Sequence, residues 1–167
     1  QRENGSIIAL LRDRESITLE PGGQLELSGA PLRSLFETEL ELDRHLREVN
    51  DVSEDLGIHW SGLGINPWGS ALDMPLMPKA RYGILQEHVE ANGPLGLRMM
   101  RQTATVQANL DYGSEADAFR KFRLSLWLQP LVIGAFANST VVEGQLVNER
   151  SFRARICSGV AIGLIPG

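Results

Sequence analysis

Oxygen-bearing side chains occur at alternate positions in two parts of the chain. Glu20 and Glu26 flank a Pro-Gly-Gly tripeptide, and Gln107, Asn109 and Asp111 share one face of a later alternating stretch. Side chains two residues apart in a strand point to the same side of the sheet. Carboxylate and amide oxygens are the ligands that hard cations such as Mg²⁺ prefer. The pattern therefore indicates either a metal site on a rigid sheet or the ordinary wet face of an antiparallel sheet, and both interpretations stay open here.

Three arginines are candidates for binding anions. Arg81, Arg101 and Arg153 each lie in or beside the end of a predicted element. A guanidinium can hold a carboxylate through two parallel hydrogen bonds, or stabilise charge that develops on a phosphate. An arginine taken alone is more often a solvated surface residue, so each remains a candidate until other residues support it.

Composition disfavours several other classes of protein. The 167 residues, 43% of them hydrophobic, suit one soluble domain, which we predict to span residues 1–167. A net charge of -5 argues against nucleic-acid binding, and the longest apolar stretch is too short and too interrupted to cross a membrane. The single cysteine, Cys157, excludes an internal disulfide, so we expect a reducing compartment and predict a cytoplasmic location. Cys157 has no neighbouring histidine, which disfavours a thiol nucleophile. The chain begins without methionine and ends within an apolar stretch, so we interpret it as a segment of a longer protein.

The elements that must position these side chains mix strands with helices. Alternation of apolar and polar residues predicts strands at 16–20, 24–28, 58–65 and 103–111. Apolar residues at spacings of three and four predict helices at 31–56, at 79–91, and from an N-cap at Ser114 past Pro130. Residues 139–167 are predicted to form a loop followed by strands. Without regular β-α-β alternation, this order favours an α+β fold with an antiparallel sheet.

Several strings stand in an order and spacing that match one enzyme family. They include ITLEPGGQLELSGAP at 17–31, MPKARY at 77–82 and MMRQTATVQANLD at 99–111, with shorter matches at 114–117, 120–123, 128–130 and 136–139. Together they cover roughly residues 7–153, which makes the match far more specific than one short motif. On these strings the chain resembles the plant and proteobacterial type of glutamate-cysteine ligase.

The resemblance implies a fold and a reaction. The fold would be glutamine-synthetase-like, a curved antiparallel sheet with helices packed outside it, and incomplete in this chain. The reaction would join the γ-carboxylate of L-glutamate to the amine of L-cysteine through a γ-glutamyl phosphate, the first step of glutathione biosynthesis. ATP and Mg²⁺ are the implied cofactors. The expected partners are the small molecules glutamate, cysteine and ATP, with no nucleic acid and no membrane; a homodimer is left open.

The resemblance also assigns roles to the candidate residues. The implied metal ligands are Glu20, Glu26 and Gln107. The side chains implied in substrate binding are Arg81, Arg101, Gln107, Asn109 and Arg153. Arg101 and Arg153 are also the catalytic candidates, because they could stabilise the acyl phosphate. Alternation further predicts that Glu20, Glu26, Gln107 and Asn109 face one concave surface, while Leu19, Leu25, Val106 and Leu110 pack toward the outer helices.

The sequence departs from the family pattern at both ends. A strand with two further glutamates precedes the matched segment in the family, and a tryptophan and aspartate-rich stretch follows the position of Arg153; neither occurs here. We therefore expect the isolated segment to be inactive. Two alternatives stay open: a truncated or noncatalytic homologue that keeps the fold as a binding or structural module, and a related carboxylate-amine ligase with another amine substrate.

Overall fold

This computed structural model describes residues 1–91 and 93–163. Within them the chain forms short antiparallel sheets and five α-helices, joined by irregular segments. The mixture confirms the α+β class, and the absence of a closed barrel from the described residues is consistent with an incomplete glutamine-synthetase-like fold. The chain forms two compact units. The first consists of Gln1–Gly62 and Pro75–Glu87, and the second of Leu63–Met74 and the described residues from His88 onward. The single-domain organisation stays a prediction.

The first unit is built on a three-stranded antiparallel sheet. Its strands are β3 (Ala9–Arg12), β4 (Glu15–Leu19) and β5 (Leu25–Ser28), in that spatial order, after a short pair of β1 (Arg2–Glu3) and β2 (Ser6–Ile7). β4 and β5 form the predicted hairpin. Gly23 adopts a φ of 86° and donates its N–H to the Glu20 carbonyl at 2.8 Å. A glycine is favoured at this position because side chains rarely tolerate positive φ, and the turn therefore fixes the register of both strands.

Helix α1 (Leu35–Leu56) follows the sheet and confirms the predicted helix and its end. Ser34 caps the first turn because its side chain accepts a hydrogen bond from the Glu37 N–H. The Glu37 carboxylate in turn accepts a hydrogen bond from the Ser34 N–H. This capping box satisfies N–H groups that have no partner inside the helix. At the other end Gly57 adopts a φ of 65°, the left-handed conformation that commonly terminates helices.

A buried carboxylate joins α1 to the loop after β5. The Glu41 side chain is only 8% exposed, and its Oε1 accepts the Ala30 N–H at 2.9 Å. Gly29 lies directly against this carboxylate, where a Cβ atom would come within 3.3 Å of Glu41 Cδ and closer still to Oε2. Gly29 therefore leaves room for the Glu41 carboxylate, which an added Cβ atom would displace.

Replacing Gly29 with alanine should destabilise the first unit. The added methyl group would displace the Glu41 carboxylate and break its hydrogen bond to Ala30, at a cost of about 1–3 kcal/mol. Urea unfolding measures this loss. Gly62→Ala is the matched control, because a Cβ there meets nothing within 4 Å. Equal stability of the two variants would show that the Glu41 contact contributes nothing.

The second unit is mainly helical and contains a small apolar core. Its helices are α3 (Pro94–Gln102), α4 (Glu115–Ala135) and α5 (Phe152–Gly163), with the last residues of α2 (Ala80–Ala91), which begins in the first unit. A short hairpin of β6 (Val141–Val142) and β7 (Gln145–Leu146) completes it. The buried centre is Ile65, Val142 and Ile156, with Leu95, Met99, Val147 and Phe152 packed around it. None of the described helices is both long and apolar enough to span a bilayer.

The N-terminus of α4 confirms the predicted cap. Ser114 Oγ accepts the Asp117 N–H at 3.2 Å, and the Asp117 carboxylate in turn binds Lys121, Arg120 and the Gly113 N–H. No residue of α4 is buried within the described part of the chain. The Ser114 cap satisfies one of the N–H groups that have no partner inside the helix.

Acid should weaken this cap at an unusually low pH. The hydrogen bond from Lys121, followed by those from Arg120 and Gly113, lowers the pKa of Asp117 far below its ordinary value of 3.8. Because the folded pKa lies below the unfolded one, the carboxylate stabilises α4 fully above about pH 4 and loses that effect as pH falls toward the folded pKa. An NMR titration of the Gly113 amide should report the low midpoint, and Lys121→Met should raise it. A midpoint near 3.8 in the unaltered protein would contradict the assignment.

Two predicted strands are wrong. Residues 58–65 and 103–111 form no ladder within the described chain; Ile65 and Thr103 make one isolated antiparallel bridge, and the Ala104 N–H donates to the Gly64 carbonyl. Alternation alone does not make a strand, because its backbone groups need a partner strand. Val106 is 97% exposed and Leu110 70%, so neither packs toward a helix; Leu19 is 38% exposed.

The strands predicted after residue 139 are replaced largely by α5. Phe152, Ile156 and Val160 recur every fourth residue, which places them on one helix face, and Ile156 is completely buried. Arginines and small residues between these positions obscure the four-residue spacing in the sequence. The predicted elements at residues 164–167 lie outside the described residues.

Candidate functional site

Two carboxylates share one face of the β4–β5 hairpin. Thr18 stands directly opposite Glu26 in the register, and Glu20 follows Thr18 by two positions. Glu20 and Glu26 are thus diagonal neighbours, with Cα atoms about 7–8 Å apart. Hydroxyl groups of the same face hold both: Thr18 Oγ1 donates to Glu20 Oε1 at 3.3 Å, and Ser28 Oγ to Glu26 Oε1 at 3.2 Å. The hairpin therefore presents a half-buried acidic face.

A buried tyrosine binds this face from the first turn of α2. Tyr82 is 3% exposed, and its hydroxyl lies 3.1 Å from Glu20 Oε1 and 3.3 Å from the Leu19 carbonyl oxygen. Tyr82 is not among the site residues predicted from the sequence. Its position at the end of the MPKARY string, next to a candidate arginine, is the signal that could have identified it.

Two cations surround the Tyr82 hydroxyl. Lys79 Nζ donates to it at 3.0 Å and Arg81 Nη2 at 3.2 Å, and each cation lies 5.0 Å from the centroid of the tyrosine ring. The Tyr82 hydrogen bond first, and then the carboxylates of Glu20 and Glu26, raise the pKa of Arg81 above its ordinary value. We call the set Glu20, Glu26, Lys79, Arg81 and Tyr82 the hairpin cluster. It places one acid, Glu20, and two cations around the Tyr82 hydroxyl, with the second acid, Glu26, on the same hairpin face.

Backbone contacts fix the segment that carries the cations. The Met77 N–H donates to the Pro21 carbonyl at 2.9 Å, which ties this segment to the hairpin turn. The Glu3 carboxylate accepts the Ala80 N–H at 2.9 Å at the start of α2, where the helix dipole favours a negative charge. Two backbone N–H groups shortly before Arg81 are therefore anchored, one to the hairpin turn and one to the Glu3 carboxylate.

The hairpin cluster fits Mg²⁺ in part. Magnesium is often held by one or two carboxylates together with water and substrate phosphates, which two glutamates on a rigid face can supply. Among the described residues no group of three or more histidine, cysteine, aspartate and glutamate side chains could hold a metal by itself. Glu20 and Glu26 would supply two of the oxygen ligands that such a metal needs. Gln107 as a third ligand stays a prediction.

Arg101 and Gln102 hold the second unit together at the end of α3. Arg101 is 9% exposed, and its Nη1 donates to the Met74 carbonyl at 2.9 Å. The neighbouring Gln102 is 1% exposed; its side chain donates to the Gly69 carbonyl, and its own carbonyl accepts the Asn66 N–H. Sequence analysis does not identify Gln102. The substrate-binding role of Arg101 stays a prediction, and the structure adds an anchoring contact to Met74.

Arg153 lies in the first turn of α5. Its backbone N–H donates to Ser139 Oγ at 3.1 Å. Its Nε atom is buried and has no hydrogen-bond partner within the part of the chain described. Gly64 makes room for this arrangement, because a Cβ there would lie 2.7 Å from Asn138 Oδ1 and 3.5 Å from Arg153 Cδ. A buried guanidinium donor of this kind suits an anionic ligand.

Gln107 and Asn109 lie on an exposed, irregular stretch of the second unit. Residues 104–112 belong to no described helix or strand, so the regular polar face that period two predicts is not formed there. Of the predicted site residues, the structure thus brings Glu20, Glu26 and Arg81 together in the first unit. Arg101, Arg153, Gln107 and Asn109 belong to the second.

Several known proteins with similar sequences are named glutamate–cysteine ligase. The chain is 48% identical over 154 residues to glutamate–cysteine ligase, chloroplastic, of Arabidopsis thaliana and of Nicotiana tabacum, and 47% identical to glutamate–cysteine ligase A, chloroplastic, of Oryza sativa subsp. japonica. Each match covers 92% of this chain. The chain spans about 30% of the length of these relatives.

These names contradict the predicted cytoplasmic location. The relatives are chloroplastic proteins. The prediction depended on the single cysteine, which indicates a reducing compartment and does not distinguish the cytoplasm from other reducing compartments. The cytoplasmic assignment is therefore wrong.

The family match extends over nearly the whole chain. The model of glutamate-cysteine ligase family 2 matches residues 3–165, which include both the hairpin cluster and Arg153. The match continues beyond Arg153, where the sequence pattern indicated that the resemblance fails. This chain belongs to glutamate-cysteine ligase family 2.

Proposed function

We propose that the protein carrying this chain is an ATP- and Mg²⁺-dependent ligase that joins the γ-carboxylate of glutamate to the amine of cysteine. Family membership supports this reaction, and the hairpin cluster is the observation in this chain that agrees with it. Two carboxylates share the hairpin face and Arg81 lies next to it through Tyr82, an arrangement that suits a metal-bound phosphate.

The chemistry of the reaction explains why such a face is needed. A carboxylate does not react with an amine until one of its oxygens becomes a good leaving group, and transfer of a phosphoryl group from ATP achieves this. Bound Mg²⁺ would neutralise phosphate charge during that transfer. The chain's own part is to hold the metal with Glu20 and Glu26, and to bind an anionic oxygen with Arg81.

Arg101 and Arg153 complete the proposed roles. We assign glutamate binding to Arg153 because its buried Nε has no hydrogen-bond partner among the described residues. Arg101 is assigned to the acyl phosphate, and Gln107 and Asn109 to polar contacts with substrate.

Phosphate release by the full-length protein tests the proposal. We expect orthophosphate to appear only when ATP, Mg²⁺, glutamate and cysteine are all present, because the amine must consume the activated carboxylate. The full reaction minus one amino acid is the control. Turnover with another amine and none with cysteine would assign the protein to a related ligase, and no turnover at all would favour a noncatalytic homologue.

Arg81→Gln gives a test that belongs to the hairpin cluster. Loss of the cation beside Glu20 and Glu26 should raise the KM for ATP or glutamate by about tenfold, since a charge-assisted contact to an anion is lost. Arg33→Gln is the matched control, because Arg33 is exposed at the start of α1. Steady-state kinetics of both variants decide between a substrate contact and a surface role.

A further inference from the structure

We propose that Tyr82 is a positioning residue for the Glu20 carboxylate, and that Lys79 and Arg81 fix the direction in which its hydroxyl donates. The inference rests on the proposed function, because it concerns the carboxylate that we assign to the metal. It adds two residues, Tyr82 and Lys79, to the site.

The direction of the hydroxyl follows from the donors around it. An ammonium group and a guanidinium group can donate hydrogen bonds and cannot accept them. Lys79 at 3.0 Å and Arg81 at 3.2 Å therefore both bind the oxygen atom of Tyr82. The single hydroxyl hydrogen must then point to an acceptor, and the shorter of the two acceptor distances is the 3.1 Å to Glu20 Oε1.

The same geometry separates the two oxygens of Glu20. Thr18 Oγ1 and the Tyr82 hydroxyl both bind Oε1, so the two hydrogen bonds that the structure gives this carboxylate hold one oxygen. We assign the other, Oε2, to the metal. Burial strengthens the arrangement, because Tyr82 and Lys79 are 3% and 8% exposed and their contacts are little screened by water.

Tyr82→Phe removes the hydroxyl and keeps the ring on which both cations lie. Partners that orient metal ligands commonly contribute about tenfold or more to metal affinity. In the full-length enzyme we therefore expect the Kd for Mn²⁺, measured by electron paramagnetic resonance, to rise about tenfold. Added Mg²⁺ should restore most of the turnover, whereas a purely structural role would not respond to Mg²⁺. Tyr112→Phe is the matched control, since Tyr112 is the chain's other tyrosine and is 67% exposed.

A second variant keeps the test independent of folding. Lys79→Met leaves the hydroxyl in place and removes one of the groups that orient it, so the Mn²⁺ Kd should rise by a smaller factor, about threefold. Glu20→Gln separates this inference from the proposed function. If Glu20→Gln weakens Mn²⁺ binding while Tyr82→Phe and Lys79→Met leave it unchanged, the positioning role is wrong. If Glu20→Gln itself changes nothing, the metal assignment of the proposed function fails, and the positioning role with it.

Discussion

Glu20→Gln in the full-length protein should reduce turnover by at least about a hundredfold. Groups that merely orient a metal ligand contribute about ten- to a hundredfold, so loss of the charged ligand itself should cost as much or more. The amide keeps the shape of the side chain, and its carbonyl can still accept the Tyr82 hydroxyl. The fold should therefore remain intact while the charge that binds the metal is lost.

The control for Glu20→Gln is the same substitution at Glu39, an exposed position on α1. Glu39→Gln should leave turnover and the Mg²⁺ requirement unchanged. Phosphate release is measured over a range of Mg²⁺ concentrations, and thermal unfolding of both variants reports on the fold. Turnover of Glu20→Gln within a factor of two of the unaltered enzyme would remove Glu20 from the metal site.

Local signals in the sequence predict the first unit well. The Pro-Gly-Gly turn specifies a hairpin because Gly23 adopts positive φ, and period two then puts Glu20 and Glu26 on one face without knowledge of any distant contact. The capping box at Ser34 and the glycine at Gly57 similarly mark both ends of α1. Such features are local, so the sequence alone suffices to predict them.

The hairpin cluster could be predicted only in part, because it forms between distant segments. Tyr82 binds Glu20 across 62 positions of sequence, and no periodicity relates α2 to the β4–β5 turn. Lys79 is easily taken for a surface residue, since lysine is rarely buried without a partner, and its partner is identified only in the folded structure. Local patterns therefore predict the two acids and Arg81, but not the Tyr82 hydroxyl that connects Glu20 to Arg81.

The second unit shows where alternation misleads. Residues 103–111 alternate as a strand would, but strand formation depends on a neighbouring strand. Within the described chain their strand-like pairing is limited to the Thr103 bridge and the Ala104 backbone hydrogen bond. In α5 the sequence pattern is weak but the helix forms. Ile156 and Val160 are separated by three small residues, and both are buried on one face of the helix. Tertiary contacts decided both segments.

Arg153→Met in the full-length protein should weaken the use of glutamate by about a hundredfold. Loss of one member of a buried, hydrogen-bonded charge pair commonly has an effect of this size. The position of Arg153 in the first turn of α5 supports such a role, because its buried Nε has no hydrogen-bond partner within the described residues. Arg153→Lys should weaken glutamate use less, by about tenfold, because lysine keeps the charge but cannot form two parallel hydrogen bonds.

The kinetic pattern distinguishes glutamate binding from a structural role of Arg153. A contact to glutamate raises the KM for glutamate and changes the KM for ATP little, whereas misfolding reduces the use of both substrates together. Arg155→Lys is the matched control, because Arg155 lies on the same helix and pairs with Glu149 at an exposed position. If Arg153→Lys behaves like Arg155→Lys, the guanidinium does not bind glutamate. The closeness of Gly64 to Arg153 would then reflect packing of the second unit alone.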